Sequence, residues 1–352
     1  MKLDEALSRI QPLDEGAMEQ SRKHWSSLAK PLNSLGLLEK ALVKIAGITG
    51  DPAIHLEKKA ILVYCADNGV VAQGVSQSQQ DVTAIVSENL TKCATSVCHM
   101  AKCAGADIIP VDVGVACDVD GPGMIHRKIA YGTRDFSQEP AMTREQAVEA
   151  IEVGINMVKD CREQGYHLLG TGEMGIGNTT TSSAIAAVLL HQSAEEVTGR
   201  GAGLSSAGLE RKIQVINQAI RDLVPDENDP IDVLRKVGGF DIAALAGTFL
   251  GGAVYHVPVL VDGLISSVAA LVAVRICPQV KDYILPSHAS KEPAGQILMD
   301  ALGLQPFLYG EMCLGEGTGT AAVMPILDMA AAVYHNMSTF EQVEIEAYQP
   351  LV

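Results

Sequence analysis

Short, continuously apolar runs in this chain alternate with stretches whose apolar residues recur at helical spacing. Such runs of four to nine residues predict buried strands, and the longer periodic stretches predict helices. The predicted strands cover residues 60–67, 106–114, 166–172, 256–263 and 283–286. Strands that alternate with helices and are apolar on both faces predict an α/β fold, with a parallel sheet covered by helices on both sides.

Helical spacing also marks both ends of the chain. Residues 1–48 are predicted to be helical with a break at residues 30–36 (KPLNSLG), and residues 321–337 form one long helix with an apolar face. The most apolar stretch, residues 247–276, is interrupted by His256, Pro258 and Asp262. We therefore expect helix–strand–helix within a core there, and not a membrane span.

Polar and glycine-rich residues collect where the predicted strands end. They occupy residues 67–69, 172–181, 262–263 and 287–290. Open parallel sheets bind ligands outside the carboxyl ends of their strands, so we expect these four turns to share one cleft.

Charge and cysteine content narrow the function classes. The chain has 352 residues and a formal net charge of −16, which disfavours nucleic acid and anionic membranes as partners. Its eight cysteines form no C-x-x-C pair and have no His-rich metal spacing, which indicates reduced thiols. The acidic, amphipathic N-terminus does not resemble a signal peptide. A cytoplasmic protein is expected.

Gly170, Gly172 and Gly175 match the G-x-G-x-x-G pattern of dinucleotide-binding loops. An acidic pair, Glu195 and Glu196, follows about 20 residues later, as that motif requires. However, no strand precedes the pair, and the glycines come after at least two earlier strands. An NAD site is therefore the less favoured interpretation.

A phosphate site fits the same loop better. Residues 175–181 (GIGNTTT) offer successive backbone N–H groups and hydroxyls at a predicted helix N-terminus, which attracts anions. The alternative is an ordinary helix cap at Asn178 or Thr179. A second donor-rich loop, residues 199–206 (GRGAGLSS), precedes Lys212, which is either a phosphate counter-charge or a solvated surface lysine.

Two glutamates interrupt glycine-rich loops. Glu173 lies inside the first loop, and Glu316 is flanked by glycines in LGEGTG. Either one alone could be an exposed turn residue. Paired carboxylates around an anomeric carbon are a common means of handling glycosyl bonds, so the pair predicts glycosyl transfer.

Several long motifs together resemble one family. They are CADNGVVAQGVS at residues 65–76, GEMGIGNTTT at 172–181, KVGGFDIAALAG at 236–247, PVLVDGLISSVAAL at 258–271 and LGEGTGTAAVMPILDMA at 314–330, with KPLNSLGLLE near the start. This set, in this order, resembles the nicotinate-nucleotide–dimethylbenzimidazole phosphoribosyltransferases of cobalamin biosynthesis. The resemblance implies transfer of phosphoribose from nicotinate mononucleotide to a lower-ligand base, with inversion at C1′ and release of nicotinate. It implies no metal and no cofactor.

The resemblance also implies an architecture and an assembly. The fold would be a Rossmann-like parallel sheet in a large domain, residues 49–329. Residues 1–48 and 330–352 would form a small helical domain from both chain ends. A homodimer is expected, and a heterodimer with a paralogous chain remains an alternative.

By residue-for-residue match, Glu316 would be the general base and Glu173 a second active-site carboxylate. The positions implied for substrate binding are Gly175, Ile176, Gly177, Asn178, Thr179, Thr180, Gly201, Ala202, Gly203, Lys212, Ser290, Gly315 and Gly317. The positions implied for the acceptor pocket are Ser78, Thr83, Val86, Met174 and Leu314.

Two departures from the family pattern concern the acceptor. Asn68 stands where the family commonly has histidine, and Val86 where some members carry glutamine. The preferred base could therefore be a benzimidazole, a purine, or the phenol or p-cresol used by a heterodimeric relative. A non-catalytic nucleotide-binding paralogue is a further alternative, although intact Glu173 and Glu316 favour a competent enzyme.

Overall fold

The computed structural model describes residues 1–348; the last four positions of the predicted small domain, residues 349–352, lie outside the described residues. Within that part, six parallel strands form one sheet in the order β3-β2-β1-β4-β5-β6. The strands are β1 (Lys59–Ala66), β2 (Ala106–Gly114), β3 (Ile125–His126), β4 (Leu168–Met174), β5 (Val259–Leu260) and β6 (Ile284–Leu285).

The five predicted strands are all present, although β5 and β6 are much shorter than their apolar runs. The two-residue strand β3 was not predicted, because an edge pairing of two residues leaves no apolar run to detect. Successive residues of β1 reach opposite faces of the sheet: Ile61 and Val63 join one hydrophobic cluster, and Leu62 and Tyr64 join the other. The predicted α/β fold is confirmed.

Helices cover both faces of the sheet. They are α1 (Leu3–Arg9), α2 (Glu15–Ser27), α3 (Leu37–Thr49), α4 (Asp81–Thr91), α5 (Ser96–Ala104), α6 (Arg144–Glu163), α7 (Asn178–Leu190), α8 (Ala194–Val197), α9 (Ser206–Leu223), α10 (Pro230–Val237), α11 (Phe240–Tyr255), α12 (Leu264–Ile276), α13 (Ala294–Leu302) and α14 (Thr318–Asn336). Among residues 1–348, none of the helices combines the length and the apolar character that a membrane crossing needs.

The two chain ends pack against each other. The Trp25 ring on α2 meets the Tyr334 ring on α14 edge-on, with centroids 5.0 Å apart, and Leu28 pairs with Thr339 through a backbone bridge. Trp25, Leu28 and Tyr334 belong to the same hydrophobic cluster as one face of the sheet. These contacts bring the two chain ends together, and the small helical domain made of residues 1–48 and 330–352 stays a prediction.

Candidate active site

A cavity of about 190 Å³ opens at the carboxyl ends of the strands. Three of the four predicted turns line it, and the fourth supports it from behind, where Thr181 Oγ1 donates a hydrogen bond of 2.9 Å to Asn68 Oδ1. The lining residues are Val75, Ser76, Gln77, Glu173–Thr179, Arg200, Gly201, Ala202, Leu204, Asp262–Ser266, His288, Ser290, Glu292 and Cys313–Glu316. The expectation of a shared cleft is therefore confirmed for the turns at residues 172–181, 262–263 and 287–290, whereas residues 67–69 lie outside the cavity lining.

Glu173 lies near the end of β4, with only 7% of its surface exposed. Burial, reinforced by the nearby charge of Asp241, raises the pKa of its carboxyl group to about 8, while a hydrogen bond from Asn178 opposes the shift. Burial likewise raises the pKa of Asp241 to about 6.

Asn178 is the first residue of α7, and its side chain does not cap that helix. The preceding residue, Gly177, takes the cap position with a left-handed φ of +94°. Asn178 Nδ2 instead donates to Glu173 Oε2 and, at 3.0 Å, to Asp241 Oδ2. The alternative of an ordinary side-chain cap at Asn178 is therefore wrong, and this amide faces two carboxyl groups.

The other end of the cavity is rich in hydrogen-bond donors. Lys212 is fully buried, and its Nζ donates to Thr179 Oγ1 at 2.9 Å and to Gly199 O at 3.2 Å. Burial lowers its pKa to about 8, against a smaller opposing effect from Glu292. The alternative of a solvated surface lysine is wrong. Thr179 lies between Lys212 and the cavity, so the ammonium group acts on the cavity from one layer behind.

Several residues predicted to bind substrate line this end, and others do not. Gly175, Ile176, Gly177, Thr179, Gly201, Ala202 and Ser290 line the cavity. Thr180 is fully buried, Gly203 is exposed next to Gln77, and Gly317 lies behind Gly315 against β1 and β4. Arg200 is a cation at the cavity that we did not single out from the sequence.

Glu316 is held in a strained loop. Its φ is +61°, between Gly315 at +92° and Gly317 at +96°, so three consecutive residues are left-handed. Glu316 Oε2 accepts a 3.1 Å hydrogen bond from the Val97 N–H in the first turn of α5. N–H groups at a helix N-terminus bind anionic oxygens well, so this contact fixes the direction of the Glu316 carboxyl group.

Asp262 anchors the same loop. Its carboxyl oxygens accept backbone N–H groups of Gly317 at 3.2 Å, Gly319 at 2.7 Å and Thr320 at 3.3 Å, and so cap α14. Burial raises the pKa of Asp262, while neighbouring His288 and these N–H groups oppose the shift. The sequence placed Asp262 in a cleft turn and Glu316 in a separate glycine-rich loop, but nothing in their spacing showed that Asp262 holds that loop.

Two residues predicted for the acceptor pocket, Met174 and Leu314, line the cavity beside the glutamates. Ser78, Thr83 and Val86 lie outside its lining. Thr83 is fully buried, and its Oγ1 accepts a 3.1 Å hydrogen bond from the Ile176 N–H, which supports the loop after β4. The assignment of these three residues to an acceptor pocket stays a prediction.

The glycines of the G-x-G-x-x-G pattern, which suggested an NAD site, allow close packing around β4 instead. A Cβ on Gly170 would lie 2.5 Å from Thr320 Oγ1, and one on Gly172 would overlap Glu316 O. Both glycines therefore let α14 and its preceding loop approach β4. Within residues 1–348, no cluster of three or more His, Cys, Asp or Glu side chains could hold a metal ion.

Comparisons with known proteins agree on one family. A family model described as phosphoribosyltransferase matches residues 10–345. The chain is 51% identical over 350 residues to the nicotinate-nucleotide–dimethylbenzimidazole phosphoribosyltransferase of Acetivibrio thermocellus, covering 99% of this chain and all of that relative. It is 50% identical over 351 residues to the enzyme of the same name from Ruminiclostridium cellulolyticum, covering all of both chains. The crystal structure of CobT from Thermus thermophilus matches with a TM-score of 0.90 at 36% identity, covering 95% of this chain and 100% of that one. The chain belongs to the nicotinate-nucleotide–dimethylbenzimidazole phosphoribosyltransferase family.

Proposed function

We propose that this chain transfers phosphoribose from nicotinate mononucleotide to dimethylbenzimidazole or a related lower-ligand base, as the names of its relatives indicate. The products are nicotinate and an α-riboside 5′-phosphate, a building block of cobalamin. The observation that supports this function best is that the two ends of one cavity carry different chemical groups. A hydrogen-bonded carboxylate, Glu316, stands at one end, and a helix N-terminus backed by Lys212 stands at the other.

The donor-rich end suits the phosphate of the nucleotide. The first turn of α7 and the loop around Gly201 line the cavity, and the dipole of α7 favours an anion. Lys212 adds a positive charge behind Thr179. A phosphate fixed there orients C1′ of the ribose toward the end of the cavity where Glu316 lies. This orientation lowers the barrier to transfer.

The carboxylate groups at the Glu316 end of the cavity determine the chemistry at C1′. Nicotinate N-linked to ribose carries a positive ring nitrogen, so it leaves as a neutral pyridine ring without acid assistance. As that bond breaks, positive charge develops at C1′, and the carboxylates of Glu316 and Asp262 stabilise it. The imine nitrogen of the base attacks C1′ from the opposite face, and the proton on the other ring nitrogen of the base passes to Glu316. Configuration at C1′ is inverted.

The remaining assignments complete the proposal. The names of the relatives favour a benzimidazole acceptor, and neither a phenol-specific subunit nor a non-catalytic paralogue is favoured by them. We propose a cytoplasmic homodimer, with a heterodimer as the alternative, and a small domain made from residues 1–48 and 330–352. Nucleic acid is not proposed as a partner.

A direct assay tests the function. Purified chain alone is incubated with nicotinate mononucleotide and either dimethylbenzimidazole, adenine or p-cresol. We expect nicotinate release with dimethylbenzimidazole, and a product with α configuration by NMR. Turnover only with p-cresol, or only after a second chain is added, would overturn the assignment of the acceptor or of the homodimer.

Replacing Lys212 tests the phosphate site. Lys212→Met keeps the apolar stem and removes the charge, so we expect KM for nicotinate mononucleotide to rise about 10- to 100-fold, the usual effect of a lost hydrogen bond to a charged group. Steady-state kinetics with nicotinate riboside, which lacks the phosphate, provide the comparison, since that substrate should respond little. Lys159→Ala, an exposed lysine paired with Glu163, is the control. Equal effects on both substrates would contradict the phosphate role.

A further inference from the structure

Two buried carboxyl groups from distant parts of the chain meet below the cavity. Glu173 comes from β4 and Asp241 from the first turn of α11, with 7% and 0% of their surfaces exposed. The Asn178 amide joins them, because Nδ2 donates one hydrogen to each. The backbone closes tightly around this group: a Cβ on Gly175 would lie 2.8 Å from Asp241 Oδ2.

The groups that surround this pair supply no positive charge. Asp262 faces Glu173 from the turn after β5, Cys65 faces both carboxyl groups from β1, and Asp67 faces Asp241 from the loop after β1. His288 approaches Asp262, with 4.0 Å between Nδ1 and Oδ1. No lysine or arginine among residues 1–348 forms an ion pair with Glu173 or Asp241.

Two buried carboxyl groups without a cation do not both ionise at neutral pH, because each charge would lose its hydration without compensation. A single bridging amide satisfies one oxygen of each group and cannot neutralise either. One proton must therefore be retained by the pair. Glu173 is the member that holds it, because Asp241 lies in the first turn of α11 and its Oδ1 accepts a 3.0 Å hydrogen bond from the Ile242 N–H, so the helix N-terminus stabilises the Asp241 charge. In agreement, the pKa is raised to about 8 for Glu173 and to about 6 for Asp241.

We propose that Asp241 is a positioning residue, which acts through Asn178 to keep Glu173 protonated and turned toward the cavity. Glu173 then offers substrate an O–H donor and not a negative charge. The inference rests on the proposed function, because the substrate it serves carries a phosphate and a nicotinate carboxylate. A neutral acid can donate to an anionic oxygen of this substrate, whereas a carboxylate would repel it. The charges that stabilise C1′ are left to Glu316 and Asp262.

The pH dependence of turnover tests the proposal. In the wild type, kcat should fall as pH rises through about 8, where Glu173 loses its proton. Asp241→Asn removes the like charge beside Glu173, which lowers the pKa of Glu173. The fall of kcat at alkaline pH, the alkaline limb of the pH profile, should therefore move to lower pH by about one unit or more. Glu173→Gln keeps a donor that cannot ionise, so the limb should vanish while at least about a tenth of the rate at neutral pH remains, since one donor hydrogen bond is retained.

The matched control is Asp232→Asn, which also removes one buried negative charge but lies on α10, where Asp232 pairs with Arg235 and Lys236. Its alkaline limb should coincide with that of the wild type. An unmoved limb in Asp241→Asn would overturn the proposal. So would a loss of all turnover in Glu173→Gln, because it would show that a carboxylate is required.

Two measurements that do not depend on turnover test the protonation of Glu173 independently of the proposed function. Infrared spectra should contain a protonated carboxyl band at pH 7 that is missing in Glu173→Gln. Because the folded pKa of Glu173 is raised from 4.5 to about 8, its stabilising effect is complete below pH 4.5 and is lost as pH rises to about 8. Tm should therefore fall over that interval more in the wild type than in Glu173→Gln. Absence of the band in the wild type overturns the inference, and absence of wild-type transfer overturns only the proposed function.

Discussion

The Glu316→Gln variant should lose about 100- to 10,000-fold in kcat, the usual contribution of a positioned general base. Glutamine keeps the shape of the side chain and an oxygen that can accept the 3.1 Å hydrogen bond from the Val97 N–H. The loop geometry should therefore survive, while the proposed general base is removed. Affinity for nicotinate mononucleotide should stay near that of the wild type, because the proposed phosphate site lies around Thr179 and Lys212 and does not include Glu316.

Single-turnover release of nicotinate measures the chemical step, and calorimetric titration measures nicotinate mononucleotide binding. Glu311→Gln is the control, since Glu311 also has a left-handed φ, of +50°, and lies five residues earlier in the same segment. It is exposed and pairs with Lys291 away from the cavity. Turnover of Glu316→Gln within about threefold of the wild type, a difference of less than about 1 kcal/mol, would eliminate the general-base role.

The sheet could be predicted because its central strands carry their signal locally. Every residue of β1 is buried, so its sequence KAILVYCA is apolar almost without interruption. The strands β3 and β5 are only two residues long, and their pairing depends on neighbours that are distant in the chain. The extent of such short strands is decided by tertiary packing, which no local pattern records.

The candidate site, too, could be predicted only where the signal is local in the sequence. Glu173 and Glu316 could be found because a charged residue among glycines stands out in an apolar chain. Asp241 could have been noticed for the opposite reason, as an acid at the start of a fully buried apolar helix. What no spacing predicts is the direction of the Asn178 amide. Its two carboxyl partners lie 5 and 63 residues away, and only the fold brings them together.

The Gly172→Ala variant should be nearly inactive although the substitution adds one methyl group in a strand position that carries no catalytic side chain. Gly172 pairs with Val63 in the centre of the sheet, and its Cβ would overlap Glu316 O and lie 2.8 Å from Glu316 C. Backbone on both sides of this contact is fixed, since β4 pairs with two strands and the loop is tied to Asp262. The loop must therefore move as a unit.

A displacement of about 1 Å in a reacting group costs about 100-fold in rate, so kcat of Gly172→Ala should fall by at least that factor. Overpacking should also lower the free energy of unfolding by about 1–3 kcal/mol. Steady-state kinetics and urea denaturation measure the two effects, with Gly310→Ala as the control. A Cβ on Gly310 would come no closer than 3.4 Å to the flexible Met312 side chain. If Gly172→Ala lost stability but kept its kcat, the position of Glu316 would not limit the reaction. If instead kcat fell by a larger factor than the folded fraction did, the reaction would depend on the position of the 315–317 loop.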